Sequence, residues 1–281
     1  MQTKHSISPS ALIDSSAVIG ENVVIGPGVI IGENVTIGDN CYIDTGAILR
    51  NHVTIGNDSY VGAQCILGEL LSDFFSDRIP KEHPLRVGAH ALIRSGSILY
   101  GGSRIGDFFQ TGHRVTVREK SCIGDHVNLG TLSDVQGDCV IEDYVHMHSN
   151  VHIGMKTHIE KYAWIFPYVV CTNDPTPPSE VLKGAHIGQF AVVCTGALLL
   201  PGVQIGKDAL VAAGTVVTKD VPEMAIVKGN PGKVSGQVTR VLNEKGEQVY
   251  PWRYSFKRGM PWQDSDYQSY ISRLTEEQKA E

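Results

Sequence analysis

At 281 residues, the chain is long enough to bury a large hydrophobic core, in one long domain or two shorter ones. Its net charge is −6 and its Lys and Arg residues are scattered, which argues against a nucleic-acid partner because such a partner needs a basic face. The sequence contains no apolar run long enough for a membrane span and no apolar signal block, so neither is predicted.

A hydrophobic residue recurs at every sixth position along most of the chain. These positions, called rungs, run from Ile7 to Leu67, from Val87 to Cys171 and from Ile187 to Val217. All thirty-two are Ile, Val, Leu or Met except Thr111 and Cys171, and many are followed by Gly. A period of six fits neither an α-helix nor a heptad repeat, so each unit indicates a short strand followed by a turn.

Three six-residue units close one triangular coil of eighteen residues. A residue and its eighteenth successor then stack about 4.8 Å apart, which is the spacing of hydrogen-bonded strands. The rungs therefore predict a mainly β fold, a parallel solenoid of about ten coils that is on the order of 50 Å long. The alternative, a sandwich of alternating strands, would need strands of irregular length.

The six-residue period breaks twice, near residues 68–86 and 172–186. Twenty residues separate Leu67 from Val87, which indicates either an exported loop or a distorted coil. Residues 172–179 are too rich in Pro to continue a strand, so they predict an exported loop. Because sixteen residues separate Cys171 from Ile187, the sequence leaves open which face the last six rungs join.

An extension, residues 236–281, follows the predicted solenoid domain of residues 1–235. Residues 238–252 predict a hairpin with its turn at 243–246, and residues 267–279 predict a short helix. Since an open solenoid end needs a cap, we expect this hairpin and helix to cap the solenoid or to pack on a neighbouring chain.

The six cysteines include no C-x-x-C pair. Cys41, Cys65 and Cys139 lie two residues before a rung, and Cys171 is itself a rung. This placement predicts small apolar filling of the core rather than metal or redox use, in a reducing cytoplasm.

The stacking period brings several chemically active residues to one corner. His113 lies two positions after the rung Thr111, while Thr131 and Ser149 lie one and two coils beyond it, and His148 occupies the adjacent column. A histidine there can take a proton from an attacking amine or hydroxyl, and the Thr131 N–H can hold the oxyanion of a tetrahedral intermediate. The competing interpretation is a solvated histidine in a turn.

With these hexads, residues 7–235 resemble the hexapeptide-repeat acyltransferases, which fold as left-handed parallel β-helices. The resemblance alone implies the left hand, since the general rule for parallel crossovers gives the right hand. Residues 10–67 are similar to O-acyltransferases of the lipid-A type that act on UDP-N-acetylglucosamine. Further stretches are similar to N-acetyltransferases of nucleotide-linked 3-amino-deoxy sugars: residues 93–96, 109–113, 117–119, 148–151 and 172–174.

In that family the base is a histidine two residues after an inward rung, and the amide eighteen residues later faces the acyl carbonyl. The resemblance therefore implies that His113 and Thr131 are catalytic. The residues it implies for the acceptor come from the matching stretches: Arg94, Gln110, Arg118, His148, Asn150, Asn173 and Asp174. Two alternatives stay open, because Asn-Asp-Pro is also an ordinary turn opener and the two arginines are also ordinary exposed charges.

The last rungs resemble the family's acetyl-CoA segment. Small residues there would let the pantetheine arm approach closely, and a lysine would reach a phosphate. The residues implied for the donor are as follows: Ser149, Gly196, Ala213 and Lys219.

The resemblance also implies a homotrimer with active sites between subunits. It would transfer acetyl from acetyl-CoA to the amine of a dTDP- or UDP-linked deoxyamino sugar for surface-polysaccharide synthesis. The alternatives are an acyl-carrier-protein-dependent acyltransferase acting on a UDP-sugar, a zinc hydratase of the carbonic anhydrase class, and a non-catalytic scaffold. His146, His152 and His158 recur at six, which places them on different faces, so no metal site is expected.

Overall fold

The computed structural model describes residues 6–280, which wind into a parallel β-solenoid of the left-handed β-helix type. Each of the thirty-two predicted rungs lies in a short strand, and these strands are numbered β1 to β32 in chain order. Successive strands lie on three faces in turn, so every third strand pairs with the next on the same face.

The first face carries thirteen strands: β1 (Ser6–Ile7), β4 (Val24–Ile25), β7 (Tyr42–Ile43), β10 (Tyr60–Val61), β13 (Leu92–Ile93), β16 (Gln110–Thr111), β19 (Asn128–Leu129), β22 (His146–Met147), β25 (Trp164–Ile165), β28 (Val192–Val193), β31 (Leu210–Val211), β33 (Ala225–Lys228) and β34 (Lys233–Gln237). The second face carries eleven: β2 (Leu12–Ile13), β5 (Ile30–Ile31), β8 (Ile48–Leu49), β11 (Ile66–Glu69), β14 (Ile98–Tyr100), β17 (Thr116–Val117), β20 (Asp134–Val135), β23 (His152–Ile153), β26 (Val170–Cys171), β29 (Leu198–Leu199) and β32 (Val216–Val217). The third face carries ten: β3 (Val18–Ile19), β6 (Thr36–Ile37), β9 (Val53–Ile55), β12 (Leu85–Val87), β15 (Arg104–Ile105), β18 (Cys122–Ile123), β21 (Val140–Ile141), β24 (His158–Ile159), β27 (His186–Ile187) and β30 (Gln204–Ile205).

The solenoid has about twelve coils, not the ten that the rung count predicts. The rungs stop at Val217, but the chain makes a further turn through an isolated parallel bridge between Ile205 and Val221. It then adds β33, which pairs in parallel with β31. This last turn keeps the strand pairing but not the six-residue spacing, so the periodicity could not reveal it.

Both breaks in the period are excursions that leave the order of the faces unchanged. After the first, the chain rejoins the third face with Val87 paired to Ile55, and Ile93 then pairs with Val61 on the first face. The excursion is therefore inserted into one coil without displacing the strands that follow. It contains the short helix α1 (Ser72–Asp77), which favours the exported loop over the distorted coil. After the second, Ile187 pairs with Ile159, so the last six rungs resume at the third face and then follow the three faces in turn.

The interior of the solenoid is filled by the rungs and by the small residues two positions before them. Cys41, Cys65, Cys139 and Cys171 are all buried and none forms a disulfide. Burial raises the pKa of Cys65 and Cys139 to about 11 and that of Cys171 to about 12, so these thiols stay protonated and unreactive. The predicted role as apolar filler is confirmed.

Six rings stack along the corner between the third and first faces, named the Tyr162 corner. Adjacent ring centroids are between 4.4 and 5.4 Å apart: His90, Phe108, His126, Tyr144, Tyr162 and Phe190. Every one of these residues has a left-handed φ, because all six occupy the same position of the turn in successive coils and that position requires a left-handed backbone. The upper rings of this stack are the surface on which the C-terminal extension packs.

The extension covers the last edge of the first face and one flank of the solenoid. Strand β34 pairs antiparallel with β33 and so covers the last edge of the first face. An isolated antiparallel bridge between Leu242 and Gln248 encloses the predicted turn, and the predicted helix is α2 (Tyr267–Ala280). Trp252, Met260 and Trp262 are buried against the Tyr162 corner and form a second hydrophobic core, named the aromatic cluster.

A buried ion pair fixes this extension. Arg253 pairs with Asp208, and its guanidinium carbon lies 4.5 Å from the centroid of the Phe190 ring. Trp252 Nε1 donates to the carbonyl of Phe190 at 2.9 Å. Burial raises the pKa of Asp208 even though Arg253 lowers it, so the carboxylate carries a desolvation cost that the guanidinium offsets only in part.

Candidate active site

His113 lies in the turn after β16, at the corner between the first and second faces, named the His113 corner. Its coil is bonded to the coils on either side as the stacking period predicts. Leu132 N–H donates to the His113 carbonyl at 3.0 Å, and Arg114 N–H donates to the Ser95 carbonyl at 3.0 Å. His113 N–H donates to Oγ1 of Thr131 at 3.2 Å. Ser95, His113 and Thr131 thus form one column on three successive coils.

Thr111, the polar rung, changes the hydrogen bonds between the coil of His113 and the coil before it. In the next coil the ladder is regular, since Gly112 N–H donates to the Leu129 carbonyl at 2.7 Å. Here Arg94 N–H donates instead to the buried Thr111 hydroxyl at 2.9 Å. The Thr111 carbonyl is left to accept from Arg94 Nη1 at 2.6 Å. The hydroxyl thus bonds the neighbouring backbone and ties the Arg94 guanidinium to the solenoid wall.

A hollow of about 370 Å³ opens at the His113 corner. Its lining residues come from four successive coils: Gln64, Ser95, Gly96, His113, Arg114, Thr131 and Leu132. Within residues 6–280 the backbone N–H groups of Ser95 and Thr131 donate to no protein acceptor. No lining residue carries a carboxylate, so the hollow offers donors and positive charge without a competing anion.

Two glycines allow the coils to approach closely at this corner. A Cβ on Gly112 would collide with the backbone N and Cα of Thr131, and one on Gly130 would collide with the backbone of His148 and Ser149. Backbone atoms of a neighbouring coil cannot shift cheaply, because each belongs to the strand ladder. Glycine at 112 therefore sets the position of the Thr131 N–H beside His113.

Two further histidines stand above this corner in different surroundings. His148 is exposed and stacks on Phe166 with centroids 4.7 Å apart, and partial burial lowers its pKa, so it is neutral near pH 7. His146 stacks on Trp164 at 4.4 Å, and burial lowers its pKa to about 4. In the part of the chain that the structure describes, the buried Nε2 of His146 has no hydrogen-bond partner. His148 is the accessible group of the two.

Several other expected site residues line the same side of the molecule. Gln110 is exposed on β16, next to Thr111. Asn150 N–H donates to the Thr131 carbonyl at 2.9 Å, and Gly196 N–H donates to the Pro167 carbonyl further along the solenoid. Ser149 and Ala213 lie in the His113 column, and Gly196 lies in the adjacent Arg114 column, all on later coils of the same corner.

A second group of expected residues lies elsewhere in the chain. Arg118, Asn173, Asp174 and Lys219 all follow second-face strands, at the corner between the second and third faces, named the Asn173 corner. The whole second face separates this corner from His113. One chain therefore does not bring the two groups together.

Two of these residues are already engaged by neighbours. Arg118 forms a two-point ion pair with Glu119, at 2.9 and 3.1 Å. The Asp174 carboxylate accepts from the Ser179 N–H at 2.7 Å and the Ser179 hydroxyl at 2.6 Å, and these bonds lower its pKa. For Asp174 the turn interpretation thus accounts for both carboxylate oxygens. Asn173, by contrast, makes no side-chain hydrogen bond inside the described range.

Two segments of the chain, one near each end of the solenoid, match models of known families. Residues 196–219 match the hexapeptide repeat of succinyl-transferase, and residues 7–72 match the GMPPB C-terminal domain. The six-residue repeat that both segments contain also continues through the chain that separates them. The chain is therefore similar to these hexapeptide-repeat families over the two matched segments.

Individual relatives of this hexapeptide-repeat chain match it only in part. A 2,3,4,5-tetrahydropyridine-2,6-dicarboxylate N-acetyltransferase from Staphylococcus aureus (strain JH9) is 42% identical over 73 residues, which is 26% of this chain and 30% of the relative. The same match recurs in the enzyme from strain Mu3. The chain thus spans about a third of the length of the curated relatives that it matches.

Several solved structures align with much of this chain at low sequence identity. LpxA, a UDP-N-acetylglucosamine acyltransferase from Bacteroides fragilis, is 22% identical with a TM-score of 0.38, covering 92% of this chain and 88% of that one. LpxA from Moraxella catarrhalis is 21% identical with a TM-score of 0.44, covering 98% and 93%. PerB from Caulobacter crescentus, solved with CoA and GDP-perosamine, is 18% identical with a TM-score of 0.22, covering 83% and 57%. These values support no argument about substrate.

Sequence reasoning missed several residues that line the hollow of this hexapeptide-repeat protein. Ser95 precedes His113 by one full coil, so the stacking arithmetic, applied toward the N-terminus, could have found it. Arg114 and Leu132 directly follow His113 and Thr131 in the chain. Gln64 could not have been placed, because the first excursion lies between it and Ser95.

The histidines of the solenoid do not converge on a metal site. His146, His152 and His158 lie on β22, β23 and β24, and therefore on three different faces, as predicted. Across residues 6–280 no three His, Cys, Asp or Glu side chains come together in a way that could hold a metal ion. Among the helices of that range, none is both long and apolar enough to cross a membrane.

Proposed function

We propose that this protein transfers an acetyl group from acetyl-CoA to the amine of a nucleotide-linked deoxyamino sugar, for surface-polysaccharide synthesis. The observation that carries the proposal is the pairing, in one hollow, of an exposed histidine with an unpartnered backbone N–H. These are the two groups that acyl transfer to an amine requires: a proton acceptor and a donor for the oxyanion.

The reaction follows from the placement of His113 and Thr131. The sugar amine attacks the thioester carbonyl, and His113 accepts the proton that the nitrogen loses. The Thr131 N–H donates to the carbonyl oxygen as it becomes an oxyanion. The C–S bond then breaks, the proton passes from His113 to the thiolate, and the amide and CoA thiol are released. Because Gly112 lets the coil of Thr131 approach closely, His113 can act on the amine nitrogen while the Thr131 N–H acts on the oxygen of the same tetrahedral intermediate.

The two substrates would approach along different parts of the His113 corner. Gln110, His148 and Asn150 border the hollow on its own and the following coils, and we assign them to the acceptor. Ser149, Gly196 and Ala213 continue the corner toward the C-terminus, and we assign them to the pantetheine arm. At Gly196 a Cβ would meet no atom within 4 Å, so the surface there is open.

A homotrimer would complete this site. In a symmetric ring each contact joins two different patches, so the Asn173 corner of one subunit can face the His113 corner of the next. Asn173 would then contact the acceptor and Lys219 a phosphate of the donor, whereas Arg118 and Asp174 would keep the local bonds described above. In this arrangement the residues of the Asn173 corner, which the second face separates from His113 within one chain, would reach the His113 of a neighbouring subunit.

Mixed oligomers test this arrangement. His113→Ala and Asn173→Ala proteins are each expected to lose activity, and unfolding together followed by refolding should restore part of it, because mixed trimers contain sites with neither substitution. Light scattering reports the oligomeric state independently. A monomer, or mixtures that stay as inactive as their components, would argue against sites between subunits.

One observation favours a second candidate, the transfer of a longer acyl group from an acyl carrier protein. An apolar cavity of about 290 Å³ lies between the first face and the extension, and Ser255 alone interrupts its apolar and aromatic lining. Phe166, which carries the stacked His148 ring, forms part of its wall. Rates with a series of acyl thioesters would separate the two candidates, since a preference for long acyl chains over acetyl contradicts acetyl transfer.

The decisive experiment is a screen of nucleotide-linked amino sugars with acetyl-CoA, following release of the thiol. Wild-type protein is expected to acetylate at least one of them, and His113→Ala is expected to be about 10²- to 10⁴-fold slower. A substitution on the third face, Arg104→Gln, serves as the control because that side chain lies away from the hollow. Turnover of acyl-carrier substrates alone, or none in the presence of both donors, would refute acetyl transfer.

A further inference from the structure

Arg114 presents an unpaired positive charge to the hollow beside His113. Its side chain forms no ion pair and no hydrogen bond with any residue in the described part of the chain. The other arginine of this corner, Arg94, is engaged, since it donates to the Thr111 carbonyl. Arg114 is therefore the guanidinium that remains available to a ligand.

The coil below makes room for this side chain. A Cβ at Gly96 would lie 3.2 Å from Cγ of Arg114, so the aliphatic part of the arginine lies over the glycine. Gly96 has a φ of +74°, a conformation that other residues seldom adopt. Glycine at this position lets the arginine lean toward the coil that carries Ser95 and toward Gln64, both of which line the hollow.

The surroundings of Arg114 match an anion. The chain as a whole carries a net charge of −6, yet the hollow has no carboxylate in its lining. Its unpartnered Ser95 N–H adds a neutral donor on the same side as Arg114, one coil before His113. A guanidinium and backbone N–H groups are the usual partners of phosphate oxygens, and the planar guanidinium binds two of them at once.

The spacing along the column matches a diphosphate attached to a sugar. Ser95 and Thr131 are two coils apart, which is about 10 Å at the strand spacing. With the reacting carbonyl at Thr131 and the anion at Ser95, one sugar ring occupies the interval beside His113. We propose that Arg114 and the Ser95 N–H form a diphosphate-binding subsite of the active site. The sugar part of this inference rests on the proposed function.

Binding of simple diphosphates tests the subsite without turnover. Titration calorimetry with inorganic pyrophosphate, UDP and CoA would compare wild-type protein with Arg114→Gln. Loss of the charge-assisted hydrogen bonds is expected to weaken pyrophosphate and UDP binding about tenfold to hundredfold. Arg114→Lys keeps the charge without the planar fork, so an intermediate affinity is expected, and it replaces the Gln variant if thermal unfolding shows that variant to be misfolded.

Lys120→Gln is a matched control. Lys120 is also an exposed cation with a left-handed φ, and its Cγ also lies over a left-handed glycine, Gly102. It follows β17 and so lies at the Asn173 corner, outside the hollow. Its substitution is expected to leave the affinity for pyrophosphate unchanged.

The two sources of a diphosphate give different results. Weaker UDP binding with unchanged CoA binding assigns the subsite to the acceptor, and the converse assigns it to the donor; either result supports a diphosphate subsite. In turnover, the KM of that one substrate should rise while kcat changes little. Equal pyrophosphate affinity in wild type and Arg114→Gln, or no binding to the wild type, overturns the subsite. Arg114-dependent UDP binding without acetylation of any amino sugar refutes the proposed function instead.

Discussion

Replacing Gly112 by alanine tests the link between coil packing and the oxyanion donor. The added Cβ would collide with the backbone N and Cα and with the hydroxyl of Thr131. The backbone of Thr131 is fixed between two coils, since Asn150 N–H bonds its carbonyl and its hydroxyl accepts the His113 N–H. Relief of the clash therefore has to separate the coils and turn the Thr131 N–H away from its position.

Two effects of different size are expected from Gly112→Ala. Overpacking of a well-packed site costs about 1–3 kcal/mol, which corresponds to roughly 2–4 °C in Tm per kcal/mol for a chain near this size. Displacement of an oxyanion donor lowers kcat by about 10²- to 10³-fold. The loss in kcat should thus exceed anything that the modest loss of stability would explain at room temperature.

Thermal unfolding and steady-state kinetics on the same preparations check both numbers. Gly236→Ala is the control, because a Cβ there would meet nothing within 4 Å and no left-handed φ stands in the way. It should change neither Tm nor kcat. If Gly112→Ala lowered Tm as expected but kept wild-type kcat, the Thr131 N–H would have no part in the reaction.

Three further predictions concern stability. Trp262→Ala empties a fully buried position of the aromatic cluster, so it should cost about 3–5 kcal/mol and expose residues 236–280 to proteases while the solenoid stays resistant; uniform digestion of both parts would contradict it. Arg253→Met leaves the buried Asp208 carboxylate unpaired and should cost about 3–5 kcal/mol, much of which Asp208→Asn in the same chain should restore. Burial lowers the pKa of His146 to about 4, so the unfolded chain binds a proton at this histidine more readily than the folded chain does. Up to about 3 kcal/mol of stability should therefore be lost as pH falls from 6.5 to 4. Denaturation curves of His146→Phe should show no such loss.

The hexad period was sufficient to predict the fold because it is a local property repeated along the chain. Each rung, from Ile7 to Val217, lies in the strand that its spacing predicts. The period also placed Thr131 beside His113, since stacking at eighteen holds wherever no excursion intervenes.

Partners and distances across breaks in the period could not be predicted. Gln64 lines the hollow only because the excursion before Val87 rejoins the solenoid with Val87 paired to Ile55, which brings Ser95 onto the coil after Gln64. Sequence spacing alone does not show where an excursion rejoins the coil. The extension packs on the Tyr162 corner because aromatic surfaces meet there, and no periodic signal connects Trp262 with Phe190.

The sequence by itself thus determined the solenoid, its interior and the His113 column, because each depends on residues at a constant separation. Only the tertiary structure decided which charges are free. Arg94, Arg118 and Asp174 are held by Thr111, Glu119 and Ser179, and Arg114 is left facing the hollow. The physical reason is that a side chain's availability depends on whichever groups folding places within hydrogen-bond distance, and those groups follow no period.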